Sequence, residues 1–388
     1  MKIKKLMALL LAGALTVSAF IGCGVDKDAT VATLGEQEVS LGLVNFMSRY
    51  QQAQISEAYV YHFGKDVWTQ DLSSNGTTME EDMINEVVEE VHEMYTLKAH
   101  MSDYNVEITA EEEAAIAEAV KAFMEANSKE ALDELGATEE IVTEMLTLRT
   151  IKEKMSVAIK ADVDREVSDE EANMRGYSMV SINIAGEYDS SYTNYTEYTD
   201  DEVAEITSNA EKMAEALKVG GESVTLESVA EEFGYSVTTG TYDADNTTLA
   251  ENVKTTLDGL AVGEVSGLLT TDDALYFVRL DTETDETATE TNRNSIITER
   301  ENTLYTEVLE GWQTDDGWKL DEKKLEQIKF KNNFTQTTES TESEAVETTE
   351  STGTETEGTE TTETTESTES TESTETTETT ETTETTEE

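Results

Sequence analysis

Apolar residues recur along this chain with two periods. Val31-Ala-Thr-Leu34 and Glu38-Val39-Ser40 flank Gly35-Glu36-Gln37, which predicts a small hairpin. From Leu41 to about His62 the period becomes helical, with Leu43, Phe46, Met47, Tyr50 and Gln54 on one face. Residues 64–77 read as loop. Thr78-Met79-Glu80-Glu81 has the Thr-x-x-Glu spacing in which hydroxyl and carboxylate satisfy the free amides of a helix start. Behind it, Met83, Ile84, Val87, Val88, Val91, Met94 and Tyr95 form one stripe to about Met101. Thr109-Ala-Glu-Glu112 opens another helix, with Ile116, Val120, Phe123 and Met124 inward. A short helix closes at Gly136 as a left-handed cap, and a further one runs from Glu139 to about Ile159.

After a third capping pattern, Ser168-Asp169-Glu170-Glu171, the period shortens. Tyr177 to Ile184 alternates and predicts a strand. Residues 186–199 read as a polar loop carrying Tyr188, Tyr192, Tyr195 and Tyr198. Thr199 caps a helix to about Val219, and Thr225 caps a shorter one from Leu226 to Phe233. Tyr235 to Thr238 reads as a strand, and a weak helix lies near Leu249 to Leu260. Val262 to Leu280 reads as a hairpin. Val265, Leu268 and Leu269 fall in its first strand, Thr271-Asp272-Asp273 in its turn and Leu275 to Leu280 in its second strand. The order β, α, α, β, α, β, β is an α+β unit. Helical spacing returns from Asn292 to Trp312, with Ile296, Ile297, Leu304 and Val308, and Ile328 to Phe334 closes the apolar pattern. From Thr335 onward the chain is Thr, Glu and Ser repeats. These cannot bury enough surface to fold, so a disordered tail is expected.

Composition narrows the partners. The chain has 388 residues, with 86 acidic against 26 basic side chains and a net charge of -60. Only 18 of the acidic residues lie in the tail, so the folded part is acidic too. Nucleic acid is excluded, because phosphate binding needs clustered Lys and Arg. Charge-driven adhesion to anionic lipid is excluded as well. There is no proline, so the slow cis–trans step it brings to folding is absent.

The amino end points outward. Lys2, Lys4 and Lys5 precede an apolar run, Leu6 to Phe20, that is too short to span a bilayer stably. Phe20-Ile21-Gly22-Cys23 then resembles a bacterial lipoprotein lipobox, in which cleavage frees a cysteine whose sulfur takes a diacylglycerol. Cys23 is the single cysteine, so no internal disulfide forms. The expectation is a signal peptide over 1–22, a lipid on Cys23, a tether over 23–28 and residence outside the cytoplasmic membrane.

Three stretches carry a wider resemblance: VATLGEQEVSLGLVNFMSRYQQAQ, VSDEEANMRGYSMVSINI and LDGLAVGEVSGLLTTDDALYFVRL. Together they resemble the extracytoplasmic foldase lipoproteins of Gram-positive bacteria and the related SurA-type chaperones. In those proteins a parvulin-type prolyl isomerase domain is inserted into a helical chaperone domain. The resemblance implies an α+β architecture: a helical chaperone domain over 29–172 and 286–334, with a parvulin-like domain, a small antiparallel sheet with helices, over 173–285. Residues 335–388 form the tail. It also implies a place on the outer face of the cytoplasmic membrane of a Gram-positive bacterium and unfolded or secreted polypeptides as partners.

The departures bear on chemistry. The family places one histidine in its first strand and one in its last. Ser181 and Tyr276 stand in those registers here. The family's glycine-rich stretch is reduced to Gly240-Thr241-Tyr242, and Leu249 and Val253 align with its pocket-lining Met and Phe. Leu249, Val253 and Phe277 are thus the peptide-binding candidates, with Ser181 and Tyr276 the candidates at the catalytic positions. Isomerising an X-Pro bond lowers a barrier of about 18–20 kcal/mol without breaking a covalent bond, so a shaped pocket and oriented polar groups suffice. A Ser–Tyr pair titrates far from neutrality, unlike imidazole. Tyr276 either packs with its hydroxyl engaged or contacts peptide.

Other chemistries are not supported. His62, His92 and His100 all precede the parvulin-like stretch, and His92 and His100 are too far apart for an i, i+4 metal pair. Asp243-Ala244-Asp245-Asn246-Thr247 opens like a calcium loop but has Thr248 where glycine is needed and Lys254 where glutamate is needed. No phosphate loop or Gly-x-Ser-x-Gly elbow occurs. No metal and no cofactor are expected. Three functions follow. The first is a holdase or foldase of weak or lost isomerase activity, its helical cleft made adaptable by Met47, Met83 and Met94. The second is an active isomerase with a rebuilt pocket, and the third a non-chaperone surface lipoprotein.

Overall fold

The computed structural model describes residues 14–17, 25–220 and 224–337. In chain order its elements are β1 (Ala14–Val17), β2 (Thr30–Leu34), β3 (Gln37–Ser40), α1 (Leu41–Phe63), α2 (Met79–Ala99), α3 (Ala110–Ala126), α4 (Lys129–Leu135), α5 (Glu139–Lys160) and α6 (Asp169–Ala172). Then come β4 (Arg175–Asn183), β5 (Gly186–Tyr188), β6 (Tyr195–Glu197), α7 (Asp200–Gly220), α8 (Leu226–Glu232), β7 (Thr238–Tyr242), α9 (Glu251–Gly259), β8 (Leu269–Thr270) and β9 (Ala274–Thr282). The chain closes with α10 (Glu286–Gln313), β10 (Lys319–Leu320), α11 (Glu322–Leu325) and β11 (Phe334–Thr337). The fold is mixed helical with small antiparallel sheets. Cys23 and the residues beyond Thr337 lie outside the described residues, as do all expected leader residues except 14–17. No helix among the described residues is long and apolar enough to cross a membrane.

Local chemistry sets the helix starts. Thr78 accepts from the Glu81 amide, and Glu81 accepts from the Thr78 amide at 2.8 Å. Thr109 and Glu112 do the same for α3. Gly136 ends α4 with φ of 70°, and a Cβ there would meet Asn45 Nδ2 at 2.6 Å, so both backbone and packing require glycine.

The apolar stripes of α1, α2, α3 and α5 meet in one core together with β2 and β3. Phe46, Tyr50 and Phe123 stack edge and face at its centre. The last described segment returns to the same core: β10 pairs with β2, and Ile328, Phe330 and Phe334 are buried there. Arg49 of α1 clamps that return. The residue is 1% exposed, and its guanidinium bonds Glu134 and Gln52 and lies 5.4 Å from the Phe330 ring and 5.0 Å from the Phe334 ring. Burial pulls it down to about 10, against the opposing pull of Glu134 and Glu80. Gln52 Nε2 donates to the Asn332 carbonyl at 3.1 Å, and Trp68 Nε1 donates to Asn333 at 2.6 Å. Along the far side, Leu304, Tyr305, Val308 and Trp312 of α10 cover Leu97, Ile151, Met155 and Ile159.

Between α6 and α10 the chain forms a four-stranded antiparallel sheet in the order β7-β4-β9-β8. One face buries Val180, Ile182, Leu275 and Phe277 under α7 and α8. The other buries Val278 and Leu280 with Tyr242, Val253 and Leu257 under α9.

Some elements differ from the sequence reading. The expected polar loop at 186–199 contains the hairpin β5–β6, whose turn is knitted by Asp189 accepting from Ser191, Thr193 and Asn194. Those bonds, Asn194's first, hold the Asp189 carboxyl well below its usual range. Because β6 is wholly exposed, no apolar alternation announced it. The strand expected at Tyr235–Thr238 begins only at Thr238, and Gly240 lies within it because the Tyr177 ring covers that position. The first strand of the last hairpin shrinks to Leu269–Thr270, leaving Val265 as a lone bridge to Arg279. The final long helix begins at Glu286, capped by Asp285.

Replacing Arg49 with alanine strands the half-buried Glu134 carboxylate. It is expected to cost about 3 kcal/mol in urea unfolding. A loss below about 1 kcal/mol, the range of an exposed pair, would contradict the clamp.

Candidate functional site

Ser181 on β4 stands directly opposite Tyr276 on β9, and Tyr276 is in turn opposite Leu269 on β8. The two family positions are therefore neighbours on one face of the sheet, the face covered by α9. Ser181 is exposed and Tyr276 half-buried. Neither side chain hydrogen-bonds the other. The pair carries no imidazole.

Leu249 and Val253 come to the same face. Val253 is 1% exposed, packed with Tyr242, Leu257, Val278 and Leu280, while Met179, Leu249, Leu269 and Tyr276 rest half-buried on that cluster. The positions aligned with the pocket thus form a filled core with a shallow apolar rim. Phe277 does not join them. One residue along β9 reverses the face, and Phe277 is fully buried against Val180, Ile182, Met213 and Leu226 on the opposite side. It cannot meet a peptide lying on the Tyr276 face.

Charged groups lock the sheet away from the rim. Tyr242 accepts from Arg175 at 2.9 Å and donates to Asp258 at 3.1 Å, and burial pushes its phenol up. Arg175 also pairs with Glu283 at 2.6 Å. On the other face Ser178 donates to Asp281 at 2.6 Å and accepts from Arg279, which reaches Glu227 at 2.8 Å.

His92 and His100 serve packing. His92 bonds Asp316 at 2.6 Å and stacks on Trp318 at 4.3 Å. His100 bonds Asp103 at 2.7 Å and stacks on Trp312 at 4.1 Å. Among the described residues no group of three or more His, Cys, Asp or Glu is disposed to hold a metal ion.

The helical part corrects one expectation and supplies a feature the sequence reading missed. Met47, Met83 and Met94 are all buried in the core, and of the three only Met83 reaches the lining of an open cleft. Instead, Tyr61, Phe63 and Leu72 are exposed at the end of α1 and in the loop after it. Beside them, Tyr59, Phe63, Leu72 and Met79 line a cleft of 600 Å³ edged by Asp82, Glu86 and Glu89. The signal was the run Tyr59-Val-Tyr-His-Phe63, which continues apolar after the helical stripe should have turned polar.

No family model matches the chain, and no curated protein matches it. The solved structures it is similar to include foldases and chaperones. It is similar to the foldase protein PrsA of Lactococcus lactis, with 14% identity, 76% of this chain and 96% of that one covered, and a TM-score of 0.32. It is similar to the foldase protein PrsA of Streptococcus pneumoniae, with 15% identity, 77% and 98% covered, and a TM-score of 0.27. A third neighbour comes from the Campylobacter jejuni proteins PEB4 and Cj1289, described as SurA-like chaperones, with 8% identity, 76% and 99% covered, and a TM-score of 0.25.

The opposite facings of Tyr276 and Phe277 can be measured. Phe277→Ala should cost about 3–5 kcal/mol of unfolding free energy. Tyr276→Phe should change it by less than about 0.5 kcal/mol. Equal losses would contradict the register.

Proposed function

We propose that this chain is a membrane-anchored extracytoplasmic folding factor that holds unfolded secreted polypeptides, its prolyl isomerase activity weak or lost. One observation carries the reading. Ser181 and Tyr276 face each other on adjacent strands above a filled core, so the unit keeps its shape where the family's imidazoles and enclosed pocket would be. A twisted amide gains nothing from a site that neither grips the proline ring nor aims polar groups at it. A shallow apolar rim still suits loose contact with extended chains. The exposed aromatics at the end of α1 add a second such surface. On this reading residues 29–172 and 286–334 are the chaperone domain and 173–285 the parvulin-like domain. Cys23 holds the protein by lipid to the outer face of the membrane. The acidic surface keeps it soluble while an unfolded client is bound.

The test pairs two assays on the wild type and Tyr276→Phe. Both proteins should suppress aggregation of an unfolded client at near-stoichiometric amounts, and neither should isomerise a proline peptide above background. Isomerisation that disappears in Tyr276→Phe would establish an active rebuilt pocket instead. Absence of both activities would favour a surface lipoprotein without chaperone function.

A further inference from the structure

The strand β1 lies within the expected leader, yet it is built into the helical core. It runs antiparallel to β11, with Ala14 opposite Thr337, Leu15 opposite Gln336, Thr16 opposite Thr335 and Val17 opposite Phe334. The Leu15 side chain is 3% exposed and belongs to the same cluster as Phe46 and Phe123. The Leu15 amide donates at 2.8 Å to Asn127 Oδ1. Asn127 is itself buried, 6% exposed, and is aimed by its own Nδ2, which donates to the Phe123 carbonyl at 2.8 Å. Four residues are thus held by a backbone ladder, one apolar socket and one buried amide. That is how sheet edges bind extended peptides: main-chain bonds supply affinity and a socket reads the side chain.

The rest of the groove does not depend on β1. The Phe334 amide donates to Ser56 of α1 at 3.2 Å, and the Phe334 ring is fixed over Arg49. Removal of β1 would leave β11 without its ladder partner among the described residues, because that sheet has two strands only. It would also empty the Leu15 socket and leave the buried Asn127 oxygen without its donor. An unpaired edge, an apolar void and a buried unpaired acceptor each cost free energy, and one extended apolar segment relieves all three.

We infer that the groove between β11, α4 and Asn127 is a strand-docking site for client polypeptides. The leader segment Ala14–Val17 occupies it until cleavage ahead of Cys23. The fitting ligand is an extended, uncharged segment carrying one leucine-sized side chain. The inference rests on the folding-factor reading above, since it names where that factor takes its clients.

The test compares processed protein purified from membranes with the unprocessed Cys23→Ser chain. Mass spectrometry of the amino terminus reports processing. The probe is a fluorescent peptide of residues 12–19, AGALTVSA, followed by anisotropy, with the same peptide carrying Leu15→Asp as control. Processed protein should bind the probe, and at least tenfold more weakly with the aspartate. The unprocessed chain should bind it at least tenfold more weakly than the processed one. Excess probe should also reduce suppression of client aggregation by processed protein. Suppression without probe binding would overturn the docking site and leave the folding-factor reading standing. Probe binding without suppression would remove that reading and with it the client role of the groove; loss of both would remove site and reading together. Equal binding by the two chains, or an amino terminus that is never cleaved, would overturn the inference.

Discussion

Arg49 is a cation inside an apolar core. Such a group is tolerated only when its partners are also drawn inside, and here they come from distant parts of the chain. Glu134 is supplied by α4, and the rings of Phe330 and Phe334 by the last described segment. Around this contact, Glu80 accepts from the Phe330 amide at 2.5 Å and from Lys329 at 2.9 Å. The helical core is therefore complete only when residues 328–334 return to α1 and α2. Everything between α5 and α10 must leave and re-enter at nearly one point.

The mixed unit satisfies that constraint through its own topology. Its first and last strands, β4 and β9, are direct neighbours. The crossing point is stitched as well: the Asp285 amide donates to the Met174 carbonyl at 2.7 Å, and Asn173 Nδ2 donates to the Glu283 carbonyl at 3.0 Å. The pairing that closes the unit also sets Ser181 beside Tyr276. Structural closure and the candidate site share one ladder. Backbone bonds and two flanking cores hold this shape, not the side chains at the rim.

What could be read in advance was local. Capping boxes at Thr78 and Thr109 need only residues three apart, and the hairpin before α1 needs only a turn between two short runs. The facing of Ser181 and Tyr276 followed from strand periodicity plus a resemblance that fixed the register. The same alternation sets Phe277 on the other face, away from Leu249 and Val253. Hairpin β5–β6 has a fully exposed strand and a turn built by side-chain bonds to Asp189, so burial left no trace in its pattern. Met47, Met83 and Met94 show a further limit. Helical spacing identifies an inward face but does not say whether that face meets a groove or another helix. The Arg49 clamp and the pairing of β1 with β11 were invisible because their partners are far apart in sequence.

The dependence of the helical core on the returning chain can be measured by native-state hydrogen exchange. The Phe330 and Phe334 amides, which bond Glu80 and Ser56, should open with the same free energy as interior amides of α1 and show the same denaturant dependence. If those amides exchange through a separate, lower-energy opening while α1 stays protected, the two ends of the chain do not fold as one unit, and the account is wrong.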